Sequence, residues 1–237
     1  LVSIEKLIGS IYADKLTGNS LANALTGAGG NDTLDGGTGI DTLTGGDGSD
    51  FYYVRDAGDI VTETNILAST GGTDLVYSYI SSYTLTANVE NGRIVTTAAA
   101  NLTGNNLSNV IYAGAGNNVL SGGAGTEIDT VSYAYGLSGT TGVTVDLSAT
   151  AAQATVGSGS DTLSKIENVI GSAYADKLTG SSGTNVLTGG AGADILKGNG
   201  GNDIFDFNAL AEMGTSFVTW DVISDFSFGD KIDLSTL

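Results

Sequence analysis

The stretch GSIYADKLTGNSLANALTGAGGNDTLDGGTGIDTLTGGDGSDFYY (residues 9–53) divides without remainder into five nonapeptides. Position six of the units holds Asp14, Asn23, Asp32, Asp41 and Asp50, and position eight holds Leu16, Leu25, Leu34, Leu43 and Tyr52. Glycine-rich hexapeptides of the form GGxGxD are not helical, because each glycine costs about 1 kcal/mol in a helix and suits a turn with positive φ. The three residues left over, such as TLT, make a minimal strand of about 10 Å with one inward side chain, at position eight. Two nonapeptides, eighteen residues, then close one coil. Stacked coils place their strands in two short parallel sheets around a column of leucines. Proline is absent, as such a ladder requires, since every strand N–H is needed by the neighbouring coil.

The same frame returns in GSAYADKLTGSSGTNVLTGGAGADILKGNGGNDIFD (residues 171–206), with Asp176, Asn185, Asp194 and Asp203 at position six. Position eight there reads Leu178, Leu187, Leu196 and Phe205. A weaker copy, GNNLSNVIYAGAGNNVLS (residues 104–121), has Asn109 and Asn118 at position six, and the following GGAGTEIDT is stretched by two residues before Asp129. A longer duplication overlies the repeats. Residues 1–18 and 163–180 are identical at thirteen of eighteen positions, so Leu1 falls inside a repeating unit and the chain is expected to continue beyond it.

Composition narrows the chemistry. The 237 residues include 37 Gly, no Cys and no His, and 8 basic against 26 acidic side chains leave a net charge of −18. Without His or Cys there is no Ser-His-Asp triad, thiol nucleophile, His-ligated zinc or iron-sulfur ligation, and the chain is not expected to be an enzyme. The negative charge repels nucleic acid and anionic lipid. No apolar run approaches the about 20 residues of a membrane span, and no N-terminal leader pattern opens the chain, so export is expected to use another signal. With 41% hydrophobic and 14% charged residues it is too apolar for an acidic disordered tail. The acids are 20 Asp and 6 Glu, a bias toward the carboxylate that folds back on its own turn.

Alternate nonapeptides share an edge of the coil, so Asp14, Asp32 and Asp50 line one edge, and Asn23 and Asp41 the other. In the second block Asp176 pairs with Asp194, and Asn185 with Asp203. Neighbouring coils lie about 4.8 Å apart. Bare carboxylates at that distance repel by about 1–4 kcal/mol, and the few Lys and Arg mostly lie elsewhere. Calcium resolves the repulsion, because it accepts six to eight oxygens from carboxylates and carbonyls in tolerant geometry, whereas magnesium demands a tighter octahedron. Glycine turns leave the carbonyls sterically open. The expected calcium-binding set is Asp14, Asp32, Asp41 and Asp50 with Gly27, Gly29, Gly36, Gly37, Gly39, Gly45, Gly46 and Gly48. In the second block it is Asp176, Asp194 and Asp203 with Gly189, Gly190, Gly192, Gly198, Gly200 and Gly201. Ordinary turn chemistry is the alternative, and it accounts equally well for the units bearing Asn23, Asn109, Asn118 and Asn185.

These tandem turns resemble the RTX (repeats-in-toxin, haemolysin-type) calcium-binding nonapeptide family. The resemblance implies an all-β fold of right-handed parallel β-roll (β-solenoid) blocks with Ca2+ held between successive turns, linked by β-rich spacers. The blocks are expected at 1–53, 95–131 and 171–206, the spacers at 54–94 and 132–170, and a capping segment at 207–237. That last segment is similar to the C-terminal module of serralysin-type proteases and other type I secreted proteins. The family likeness therefore implies export by the type I secretion machinery of a Gram-negative bacterium, followed by calcium-driven folding outside the cell. The expected role is a folding and secretion module of a larger secreted protein. The alternative is a surface-layer protein or adhesin, located at the cell surface, that self-assembles through rigid solenoids or binds cell-surface polysaccharide. Tyr77, Tyr79 and Tyr83 offer a sugar-binding face or simple cross-sheet packing. Asp56 and Asp59 are either caps of the last calcium site of the first block or solvated loop acids, Glu5 and Glu167 are expected to be solvated or to cap rather than ligate, and Asp225, Asp230 and Asp233 fit a capping strand or a further calcium role.

Overall fold

A computed structural model describes residues 4–65, 70–137, 139–210, 212 and 220–237. Residues 1–3 of the duplicated stretch, 66–69 of the first spacer, residue 138 of the second spacer, and 211 and 213–219 of the capping segment lie outside the described residues. Regular structure among the described residues is strand alone. No helix is long and apolar enough to cross a membrane. The chain folds as two compact units, one of residues 1–96, 100–109 and 123–127, the other of residues 97–99, 110–122 and 128–237.

The first unit is a parallel β-solenoid. One ladder runs through Lys6–Ile8, Ala24–Gly29, Thr42–Asp47 and Ile60–Thr62. Its register pairs Lys6 with Ala24, Ala24 with Thr42 and Thr42 with Ile60, a constant step of eighteen residues. A second ladder runs through Lys15–Asn19, Thr33–Gly37, Phe51–Val54, Leu75–Ser78 and Asn91–Ile94. Here Lys15 pairs with Thr33 and Thr33 with Phe51, but the next steps pair Phe51 with Leu75 and Leu75 with Asn91. The nonapeptide phase is lost after Tyr53 while the ladder continues. A ladder needs only a short strand with an inward apolar residue, whatever the length of the turn before it.

The second unit repeats the design. One ladder joins Val110–Tyr112, Thr130–Ser132, Asn168–Ile170, Val186–Thr188, Ile204–Asp206 and Lys231–Asp233. The other joins Thr144–Asp146, Lys177–Thr179, Ile195–Lys197 and Val222–Ile223. Asn118–Ser121 pairs in parallel with Gly159–Ser164, which folds back antiparallel on Gln153–Val156.

Position eight fills the interior in both units. Leu25, Leu34, Leu43 and Tyr52 are buried in the first, and Leu178, Leu187, Leu196 and Phe205 in the second. Burial of each such side chain contributes about 1.5–3 kcal/mol, and three-residue strands could not hold together without it. The flanking positions seven and nine mostly stay partly or fully exposed, as in Thr42 and Thr44 around Leu43, although Thr188 is buried. On the outer face Tyr53 stacks on Tyr77 at 5.0 Å between ring centres, and Arg55 lies 4.5 Å from the centre of Tyr79. Tyr77 and Tyr79 thus pack against their sheet neighbours.

Candidate metal centre

The turn Gly36–Asp41 shows how these residue types are used. Its second and fourth positions, Gly37 and Gly39, have φ of +95° and +111°, a backbone closed to most L side chains. The other near-complete turns repeat the pattern, with Ala28 and Gly30, Gly46 and Gly48, Gly190 and Gly192, and Asn199 and Gly201 all at positive φ. The first glycine serves a different need. A Cβ on Gly36 would overlap Oδ2 of Asp41, because the carboxylate folds across the front of its own turn. Gly27 over Asp32, Gly45 over Asp50, Gly189 over Asp194 and Gly198 over Asp203 are built the same way. Position three is free of both demands: a Cβ on Gly29 or Gly200 would sit 3.7 or 3.8 Å from its nearest neighbour, an ordinary contact.

Five position-six carboxylates reach one coil back along their edges. Oδ1 of Asp32 accepts the N–H of Asp14 at 2.8 Å, Oδ1 of Asp50 that of Asp32 at 2.7 Å, and Oδ1 of Asp41 that of Asn23 at 2.8 Å. In the second unit Oδ1 of Asp194 takes the N–H of Asp176 at 2.7 Å, and Oδ1 of Asp203 that of Asn185 at 2.9 Å. The edges inferred from the eighteen-residue coil are therefore formed, and neighbouring acids are tied together through the backbone.

The second oxygen is left over. Oδ2 of Asp32, Asp41, Asp50, Asp194 and Asp221 is buried and has no hydrogen-bond partner among the described residues. An ionised carboxylate stripped of water is costly unless a positive charge or donors replace the solvent. Loss of solvent pushes the carboxyl pKa up at Asp32, Asp41, Asp203 and Asp221, to about 6 at Asp50 and to about 7 at Asp194. Acceptor-only oxygens facing a glycine-lined turn suit a hard cation that binds carboxylates and carbonyls together. The residues present fit calcium.

Other units at the same place meet their side-chain oxygens with protein donors. Oδ2 of Asp14 accepts both the N–H and the hydroxyl of Ser10, at 2.6 and 2.9 Å. Asp176 is held likewise by the N–H of Ser172 at 2.5 Å and its hydroxyl at 2.8 Å, and by the N–H of Val143 at 2.6 Å. The serine at position two thus supplies donors at these two predicted ligands. At the asparagines, the amide nitrogen itself bridges the coils. Asn23 donates to the carbonyl of Ile4 at 3.1 Å, Asn109 to that of Glu90 at 2.9 Å and Asn185 to that of Glu167 at 2.5 Å. Ordinary turn chemistry accounts for those units. Asp161, whose pKa burial raises to about 6, is satisfied by the Asn118 N–H and the hydroxyls of Tyr133 and Thr155.

The caps fall where the edges end. Asp59 takes the N–H of Asp41 at 3.0 Å and Asp56 that of Gly39 at 2.9 Å. Glu167 accepts from the N–H of Asp129 at 2.9 Å, while the main-chain carbonyl of Glu5 accepts from Ala24. Asp225 accepts from the N–H groups of Gly198 and Asn199, and Asp230 from that of Asp203. Asp233 accepts from Ser235. Sequence reasoning missed Glu63, Asp74, Glu90, Asp161 and Asp221, all outside the nonapeptide phase. A simpler signal finds the aspartates. Asp50, Asp74, Asp161, Asp203 and Asp221 each stand immediately before a short strand or two residues before its inward residue, as in DLVY and DVIS.

In each unit, a solenoid of parallel strands whose glycine turns carry buried carboxylates defines a calcium-type β-roll. Residues 26–61, 103–128 and 167–209 match the model of the RTX calcium-binding nonapeptide repeat, so the chain carries RTX repeats and calcium is the ion of these turns. No curated protein matches the chain.

Proposed function

We propose that this chain is the calcium-folded β-roll region of a larger secreted protein, exported unfolded by a type I system and folded outside the cell. The observation that carries this reading is the set of buried Oδ2 atoms at Asp32, Asp41, Asp50, Asp194 and Asp221 that have no hydrogen-bond partner among the described residues. Without calcium each is a desolvated charge that opposes folding. With calcium a hundredfold above Kd, each site contributes about 2.7 kcal/mol, so a few sites match the about 5–15 kcal/mol stability of a domain. Ligands that come together only in the folded coil turn metal binding into folding free energy. The chain thereby senses the step from low cytoplasmic to high extracellular calcium. In this reading it is a scaffold without catalysis of its own.

Circular dichroism during a calcium titration, with magnesium as control, tests the switch. The reading expects a coil spectrum in chelator and a cooperative gain of β structure with calcium alone. A β-rich spectrum in chelator that calcium leaves unchanged would overturn it. Sedimentation of the calcium form separates the two roles, since a discrete soluble particle fits a folding module and sheets or filaments fit a surface layer.

A further inference from the structure

We propose a cation site at the end of the first repeat block, formed by Asp50, Glu63 and Asp74, that the nonapeptide pattern does not describe. One carboxylate oxygen from each residue lies within 4.8 Å of the other two. All three side chains are buried, with 0%, 6% and 2% of their surface exposed. The ion pair formed among the described residues, Arg55 with Asp35, involves none of them. Three formal negative charges therefore share one dry space.

The ladder explains how they meet. Thr44 pairs with Thr62, which sets Glu63 beside Gly45, where another repeat would place its opening glycine. Instead of a missing side chain, this coil supplies an inward carboxylate. A Cβ on Gly45 would overlap Oη of Tyr52, Oδ2 of Asp50 and Oε1 of Glu63, so three oxygens converge on the space above one glycine. Oδ2 of Asp50 is aimed into that space and has no hydrogen-bond partner among the described residues. The Tyr52 hydroxyl donates to Glu63, and the Gly46 N–H lies 3.3 and 3.4 Å from its two oxygens, which orients the group. Asp74 is placed by its other role, accepting the Asp50 N–H at 2.7 Å.

The donor set selects the ion. Only oxygens converge, which favours a hard cation over zinc or copper. Calcium, with bonds of about 2.3–2.6 Å, spans oxygens up to about 5 Å apart across its centre, whereas magnesium at about 2.0–2.1 Å draws them closer. This site uses three carboxylates where a repeat turn offers one from each coil, and it closes the block where the repeats run out.

The test counts calcium bound to the full chain by equilibrium dialysis, wild type against Glu63→Gln. Glutamine keeps the shape and still accepts the Tyr52 hydroxyl, but removes a charge. One ion fewer, or one site weakened at least tenfold with the rest retained, supports the site; an unchanged count with unchanged affinities overturns it. Terbium luminescence provides a readout that does not require the Glu63 variant to fold. Tyrosine-sensitised emission from the terbium-loaded chain should fall in Tyr52→Phe, and equal emission would overturn the assignment. A chain that binds no calcium at all would overturn the proposed function as well, whereas a wild-type count in Glu63→Gln removes this site alone.

Discussion

Ala28 holds a φ of +83° at the second position of its turn, where the neighbouring turns use glycine. An L side chain in that region carries about 1–2 kcal/mol of strain, and glycine removes it while adding some freedom to the unfolded chain. Ala28→Gly is therefore expected to stabilise the calcium form by about 0.5–1 kcal/mol, read as a higher urea midpoint at unchanged slope. Asn185 and Asp194 occupy equivalent places and test the division between amide and ion. Asn185→Ala strands the Ser181 N–H and the Glu167 carbonyl, and should cost about 1–3 kcal/mol in the calcium form while leaving the number of ions bound unchanged. Asp194→Asn keeps an oxygen for the Asp176 N–H but removes the buried charge and the ion. It should make the chain more stable than wild type in chelator and about 2.7 kcal/mol less stable in calcium at a hundredfold excess over Kd. Loss in both conditions would contradict the metal assignment.

At the scale of the element, a strand of three residues is stable only as part of a ladder around its position-eight side chain. Leu34 is fully buried between two neighbouring coils of its unit, so Leu34→Ala should cost about 2–5 kcal/mol in calcium, measured by thermal or urea unfolding. The strands and their inward residues were legible in the sequence, because a nine-residue period with one apolar column has a single economical solution. The continuation of the ladder past Tyr53 was not. Leu75–Ser78 joins Phe51–Val54 after a step of 24 residues, and no local period announces it. What decides it is shape: Val76 fills the interior above Tyr52, and any turn length that delivers it there is tolerated.

Over the whole molecule the buried acids make stability depend on both pH and calcium. Burial raises the carboxyl pKa to about 6 at Asp50, about 7 at Glu63 and Asp194, and about 8 at Asp74. Each folded value lies above the unfolded carboxyl value of about 4, so the folded state binds protons more readily than the unfolded chain. Stability from that protonation is fully present below about pH 4 and is lost as pH rises through about 6 to 8. In chelator the chain should therefore be more folded at pH 5 than at pH 8, as followed by circular dichroism. With calcium the order reverses, because protons compete with the ion for the same oxygens. A metal-free chain that gains structure from pH 5 to pH 8 would contradict this account.

The sequence by itself determined the coil of eighteen residues, the leucine column, the two edges and the choice of calcium, since all four follow from the spacing of glycine, aspartate and leucine. Only the tertiary structure decided which position-six side chains find protein donors for their second oxygen. Asp14 and Asp32 hold the same position of their units, yet Ser10 donates to Oδ2 of one and no described residue donates to that of the other. The convergence of Asp50, Glu63 and Asp74 likewise belongs to the fold, because residues 24 apart in sequence meet only when irregular coils stack. The physical reason is the same in both cases. A repeat places a carboxylate at an edge, but whether that carboxylate is satisfied depends on donors brought to it by its own turn and the neighbouring coil.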